Sequence, residues 1–271
     1  MKKQILTNIR TDLIFFSRNI LLMIIVVIMV IQTLFSIFFG TLVSYLSSVK
    51  FENIQGIVYS FNRLVYIIVA ALGIIAVFSH NSQRCLKMVF TKPCLPEVWT
   101  ASLFLSITIV AAILFFLSFV IGSLLFITMD VPYQKGIIFI CLEEFCSALI
   151  ISFFLLMLGL VIHPVLAVFL IFILNESSLY YLYLSISASL ENAKTFTQAF
   201  FLDISKSIVG LLYMIVPIQN PAEEQFSEVA RSWVVLPKDW GFLALFIGYT
   251  LIFSVLAAFL SSELLKRKRL I

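Results

Sequence analysis

The chain has 271 residues, of which 62% are hydrophobic and 12% charged, with a formal net charge of +4 and a mean hydropathy of +1.13. Soluble domains carry roughly a quarter charged residues, so the composition excludes a water-soluble globule, and several charge-free runs exceed the roughly 18 residues of a candidate spanning helix. The ten-residue alternation of an outer-membrane barrel is missing from the sequence, which leaves the α-helix as the spanning element.

Along the chain, Ile5, Ile9, Leu13 and Phe16 recur on one helical face while Lys2, Lys3, Arg10 and Arg18 supply positive charge. Residues 1–19 therefore read as a helix lying on the inner leaflet; a polar lead-in with orientation charges is the alternative. The first apolar run begins only near Ile20 and lacks a small-residue cleavage site, so it reads as a retained span and not as a secretory signal. Spans are expected over Ile20–Val43, Ile57–Phe78, Val98–Ile127, Ile137–Ile162, Val165–Ile186 and Gly241–Leu260. Glycines at Gly73, Gly122 and Gly159 permit close helix approach within them.

Two stretches need argument. Phe145–Asn175 has no Asp, Glu, Lys or Arg, and as one helix it would reach about 46 Å against a hydrocarbon core of about 30 Å. His163-Pro164 near its middle is therefore read as a hairpin tip, where proline breaks the helical ladder. In Lys194–Val216, Phe196, Phe200, Ile204, Ile208, Leu211 and Ile215 recur at helical spacing, with Asp203 and Lys206 among them. A helix along the interface, or one dipping in from one side, keeps those two charges wet. Pro217 ends it, and Gln219–Glu224 reads as an exposed turn.

Six spans put both termini, the loop after the second span and the His163-Pro164 turn on one side. That side collects eleven of the eighteen basic residues: Lys2, Lys3, Arg10, Arg18, Arg84, Lys87, Lys92 and Lys266 to Arg269. Lys50, Arg63 and Lys135 are assigned to the short loops opposite. The bias makes the basic side cytoplasmic. Trp99 and Trp240 fall at span ends, where indole rings favour the headgroup level.

The loop Ser79 to Glu97 reads SHNSQRCLKMVFTKPCLPE. Leu86, Val89 and Phe90 stand at i, i+3 and i+4, so a short helix presents one apolar face while Arg84, Lys87 and Lys92 stay solvated, until Pro93 and Pro96 stop it. Such a helix fits a groove on a partner protein; the alternative is a loop whose charges only set topology. Cys85, Cys94, Cys141 and Cys146 form no C-x-x-C pair and read as free thiols, not as a metal site. Glu143-Glu144 in the fourth span resembles the paired glutamates of membrane-embedded CAAX-type proteases, whose pattern has an arginine four residues after the second glutamate; here that position is Ala148, and no enzyme is expected. Glu176, before Tyr180-Tyr181-Leu182-Tyr183, has two readings. One is an ionisable group at depth that lines a path or a subunit contact; the other is a residue near the outer headgroups of a shorter or tilted span.

The order of elements resembles the permease subunits of ATP-binding-cassette exporters of the type-2 class: a surface helix, two spans, a basic loop, three spans, a long outer segment and a last span with a basic tail. Leu86 to Trp99, LKMVFTKPCLPEVW, is similar to the second half of that family's loop, with Pro93 in the proline position. It departs where the family has acidic residues, which fall on His80 and Asn81, and where a basic residue falls on Pro96. The resemblance implies one all-α permease domain over 1–271, a six-transmembrane-helix bundle in the cytoplasmic membrane of a prokaryote. Within it, 79–97 is a coupling helix carrying Arg84, Leu86, Lys87, Val89, Phe90 and Pro93, and 187–240 an outer segment of partly inserted or interfacial helices. It further implies a second permease copy, homo- or heterodimeric, and separate ATPase subunits that hold ATP and Mg; no nucleic acid is expected. Consistently, no G-x-x-x-x-G-K-[ST] phosphate loop occurs in the chain. The reading from a different class is an ATP-independent secondary transporter or a membrane assembly protein.

Overall fold

Long apolar runs without internal proline become long helices, and the prolines mark where helices begin. The computed structural model describes residues 2–20, 50–81, 95–128, 136–173, 176–193, 195–217, 224–227, 232–235 and 240–269, with separate positions between 23 and 38. The elements are α1 (Lys2–Arg18), α2 (Lys50–Asn81), α3 (Pro96–Thr128), α4 (Gly136–Val161), α5 (Pro164–Ile173), α6 (Glu176–Glu191), α7 (Phe196–Ile215), a hairpin of β1 (Glu224–Ser227) and β2 (Ser232–Val235), and α8 (Trp240–Arg269). Pro96 and Pro164 open α3 and α5, where a missing N–H costs no helical bond. Among the described residues, three stretches are long and apolar enough to cross a membrane: Pro96–Ile127, Ile137–Val161 and Leu243–Arg267. The chain is thus a helical membrane protein.

Pairings fix how the long helices run. Asn62 of α2 reaches Cys141 of α4, and Gly73 of α2 lies against Ser152 of α4; both pairs are 79 residues apart in sequence, so α2 and α4 are parallel. Helix α3 is antiparallel to both: Ser118 donates to Asn62, Gly122 lies against Val58, and Phe104 stacks on Phe153 at 4.3 Å. Helix α8 follows α4 in the same direction, with Phe246 packed beside Cys146 and Ile150, and is antiparallel to α3, because Glu97 at the start of α3 meets Lys266 at the end of α8. Among the three membrane-length stretches α4 is the most enclosed. Helix α1 lies across the start of α3, and its Phe16 shares the main core cluster with Leu265 of α8.

A consequence for chain path follows. Because α4 and α8 are parallel, the chain between them has to return to the end where α4 began. Helices α5, α6 and α7 lie in that stretch. Of the helix expected over Val165–Ile186, the described residues form α5, with 10 residues, and the first part of α6, which has 16; positions 174 and 175 lie outside the described residues. Helix α5 packs on α4 and α2, whereas α6 packs on α7.

Other expectations are adjusted at their edges. The 79–97 loop is shorter than expected, since 79–81 complete α2 and 96–97 begin α3. The segment 187–240 holds α7 as expected, with Thr195 capping it through the amide of Gln198 at 3.4 Å. It also holds the antiparallel pairing of Glu224 with Val235 and of Ser227 with Ser232, which an all-helical reading did not include. Arg63, assigned to a loop, lies inside α2.

Candidate functional site

Two constellations of polar side chains interrupt the apolar packing. The first gathers three helices at the α1 end. Helix α1 turns Asn8, Ile9, Asp12, Leu13 and Phe16 inward, at the i, i+3, i+4 spacing of one helical face. Asp12, only 9% exposed, accepts a hydrogen bond from the Ser106 hydroxyl at 3.3 Å. Burial pushes its carboxyl up to about 6, against the opposing pull of the Ser106 bond. A few residues away in space, Lys266 Nζ sits 2.7 Å from both Glu97 Oε1 and Glu263 Oε1. The ion pairs are half-exposed, so they orient α8 on α3 more than they stabilise it. Trp99 is partly buried against the core. The first third of α3 thus receives α1 on one side and the end of α8 on another.

The second constellation lies along α4. Asn62 is fully buried, with its Nδ2 3.6 Å from Cys141 Sγ and its Oδ1 accepting from Ser118, so one amide ties α2, α3 and α4. One to two turns on, Glu144 and Arg63 both act electrostatically on Tyr66. Glu143, 4% exposed, acts electrostatically on Cys146, whose hydrogen-bond partner is Thr250 on α8. Consecutive glutamates stand about 100° apart on a helix, so the two do not share one direction. That arrangement does not converge on one reactive point. Beside it, Phe115, Phe116, Phe119 and Phe145 line an apolar groove of about 380 Å³ between α3 and α4.

No known protein family matches the chain, and no curated protein matches it.

Of the residues singled out in the sequence, Glu143 and Glu144 fall in the α4 constellation. Glu176 is the first residue of α6, on a helix that packs on α7. Arg84, Leu86, Lys87, Val89, Phe90 and Pro93 lie outside the described residues. Asp12, Ser106, Asn62, Ser118 and the Glu97–Lys266 pair went unnoticed in the sequence. Asp12 offered one signal, an acid on the inward stripe of an otherwise basic helix. Asn62 and Ser118, 56 residues apart, offered none. Both Cys141 and Cys146 are buried free thiols, and no cluster of metal-ligating side chains occurs among the described residues.

Proposed function

We propose that this chain is the membrane-spanning permease subunit of an ATP-binding-cassette exporter of the type-2 class, crossing the cytoplasmic membrane six times and working as a pair driven by separate ATPase subunits. The observation that carries the reading is the direction of the helices. Antiparallel α2 and α3 leave both ends of the 82–94 segment at the end where α1 and the basic tail of α8 also lie. On this reading the six crossings are the expected span Ile20–Val43, then α2, α3 and α4, one return between α4 and α8, and α8 itself. The basic bias of that end makes it cytoplasmic.

The mechanism follows from this arrangement. ATP and Mg bind in the partner subunits, and closure of those subunits pushes on Arg84 to Phe90. The helix that follows is α3, whose first third carries α1 and the end of α8. A push there moves several helices as a body, and a packed bundle responds by switching between arrangements, not by bending continuously. Glu143 and Glu144 sit on the helix that joins these bodies. The substrate path runs between two copies of the chain.

Detergent pull-down of the full chain recovers an ATPase on this reading. Replacing Leu86, Val89 and Phe90 with serine releases that ATPase while membrane insertion is kept; undiminished binding by the triple variant refutes the docking role. Thiol labelling at Cys85 from the outside of intact cells would refute the orientation. The second reading, an ATP-independent transporter, rests on Glu176 at the start of α6, an ionisable residue of the kind that marks ion or substrate routes within membranes. Transport by the purified chain alone, driven by an ion gradient, would establish it.

A further inference from the structure

The apolar stripe that the sequence nominates for the membrane surface is the one that α1 turns toward the protein, with Phe16 buried in the core cluster. The opposite side of the same helix carries a second periodicity. Leu6, Arg10, Ile14 and Arg18 follow one another at intervals of four residues, which sets them along a single slowly winding ridge. All four are exposed; Leu6 is 67% and Ile14 43% exposed. Neither arginine makes an ion pair among the described residues. Phe15, beside the ridge, is also exposed.

The depth of this ridge follows from α3. Its 33 residues make a rod of about 50 Å, about 20 Å longer than the hydrocarbon core. Shared between the two ends, the excess is about 10 Å at each. Ser106, the partner of Asp12, lies ten residues into α3, about 15 Å from its start, and so falls about 5 Å beneath the boundary. That is the depth of a surface helix. Apolar side chains on the ridge then dip among acyl chains, while arginine side chains extend their guanidinium groups to the phosphates above.

We propose that the Leu6–Arg10–Ile14–Arg18 ridge is a binding site for anionic phospholipid, with the two guanidinium groups on headgroup phosphates and the two aliphatic side chains among the acyl chains. Charge complementarity selects the occupant: two cations at phosphate depth, with no ion pair among the described residues, prefer a net-negative headgroup to a zwitterionic one. The site makes α1 a sensor of inner-leaflet charge whatever the cargo, and it is independent of the exporter reading.

The test is native mass spectrometry of the full-length protein in micelles holding phosphatidylcholine and phosphatidylglycerol at equal amounts. Each arginine near a charged surface changes affinity by about five-fold, so Arg10→Gln with Arg18→Gln lowers the bound phosphatidylglycerol excess by more than ten-fold, with an unchanged melting temperature. Arg10→Lys with Arg18→Lys retains most of the excess. Raising salt weakens it, and inorganic phosphate at millimolar concentration leaves it unchanged. Equal retention of the two lipids by the wild-type protein overturns the proposal. So does an excess that survives the glutamine variant, competition by free phosphate, or a wild-type ridge whose loss releases a protein partner but no lipid.

Discussion

Asp12→Asn isolates the cost of carrying a charge on the inward face of α1. The carboxyl ionises at about 6 when docked and at 3.8 when free, so the docked state holds its proton more tightly. Docking is therefore favoured at low pH and weakens as the pH rises from about 4 to about 6. The whole penalty for the ionised group is on the order of 3 kcal/mol, and about a ten-fold change in the docking equilibrium accrues between pH 5 and pH 8. Asparagine keeps an oxygen for the Ser106 hydroxyl and removes the charge. The assay is hydrogen exchange of the α1 amides in the full-length protein in neutral-lipid nanodiscs, corrected for intrinsic exchange. The wild type should open about ten-fold more often at pH 8 than at pH 5, and the asparagine variant should be flat and better protected at pH 8. Protection of wild-type α1 that does not change across this range, or an equal slope in both proteins, refutes the argument that burial raises the cost of charge here.

Gly73→Ala should lower the melting temperature by several degrees, because the new Cβ meets the Ser152 carbonyl oxygen at 2.5 Å, whereas Gly248→Ala, with nothing within 4 Å, should not; a 1–3 kcal/mol overpacking cost is about the size expected. Asn62→Ala and Ser118→Ala should each destabilise the bundle by about 1 kcal/mol, and a double-mutant cycle in denaturant should show coupling between them. Lys266→Ala should leave the melting temperature nearly unchanged, given that its ion pairs are half-exposed. Glu176→Gln should alter transport or subunit assembly in reconstituted vesicles if that residue lines a path.

Helix positions were largely legible in the sequence; the faces that helices turn to one another were not. Periodicity reports which side chains avoid water, and in a bilayer both protein and lipid satisfy that requirement. In α1 the stripe Ile9, Leu13 and Phe16 packs on protein. In α7 the equally regular stripe Phe196, Phe200, Ile204, Ile208 and Leu211 is exposed, and Val209 and Val216 make the contact with α6. Nothing in either pattern distinguishes the two outcomes, because lipid tails are as apolar as leucine and helix association depends on close fit and on hydrogen bonds. The polar ties that do distinguish them join residues far apart in sequence, such as Asp12 to Ser106 and Asn62 to Cys141. The ammonium of Lys206 lies 5.3 Å from the centre of the Tyr183 ring of α6, a contact between a cation and an aromatic face that the spacing within α7 alone did not announce.

The same fact explains where polar residues concentrate. Interhelical contacts in lipid gain little from excluding water, so specificity has to come from a few hydrogen bonds and from small residues that let backbones approach. Helix α4 uses both: its Cys141 meets the Asn62 amide, and its Ser152 accepts the bare backbone of Gly73 eleven residues further along α2. Two such contacts about 16 Å apart fix both the register and the crossing of α2 on α4. Helix α3 is tied to α2 by the Ser118–Asn62 bond, but against α4 it rests on stacked and edge-on rings such as Phe104 on Phe153 and Phe115 on Phe145, which tolerate sliding better than hydrogen bonds do. The α3–α4 seam is therefore the natural place for motion and the α2–α4 pair the frame. Cross-linking α2 to α4 by cysteines at positions 73 and 152 should leave transport intact, while cross-linking α3 to α4 at positions 104 and 153 should stop it; the reverse result would assign the frame and the moving part the other way round.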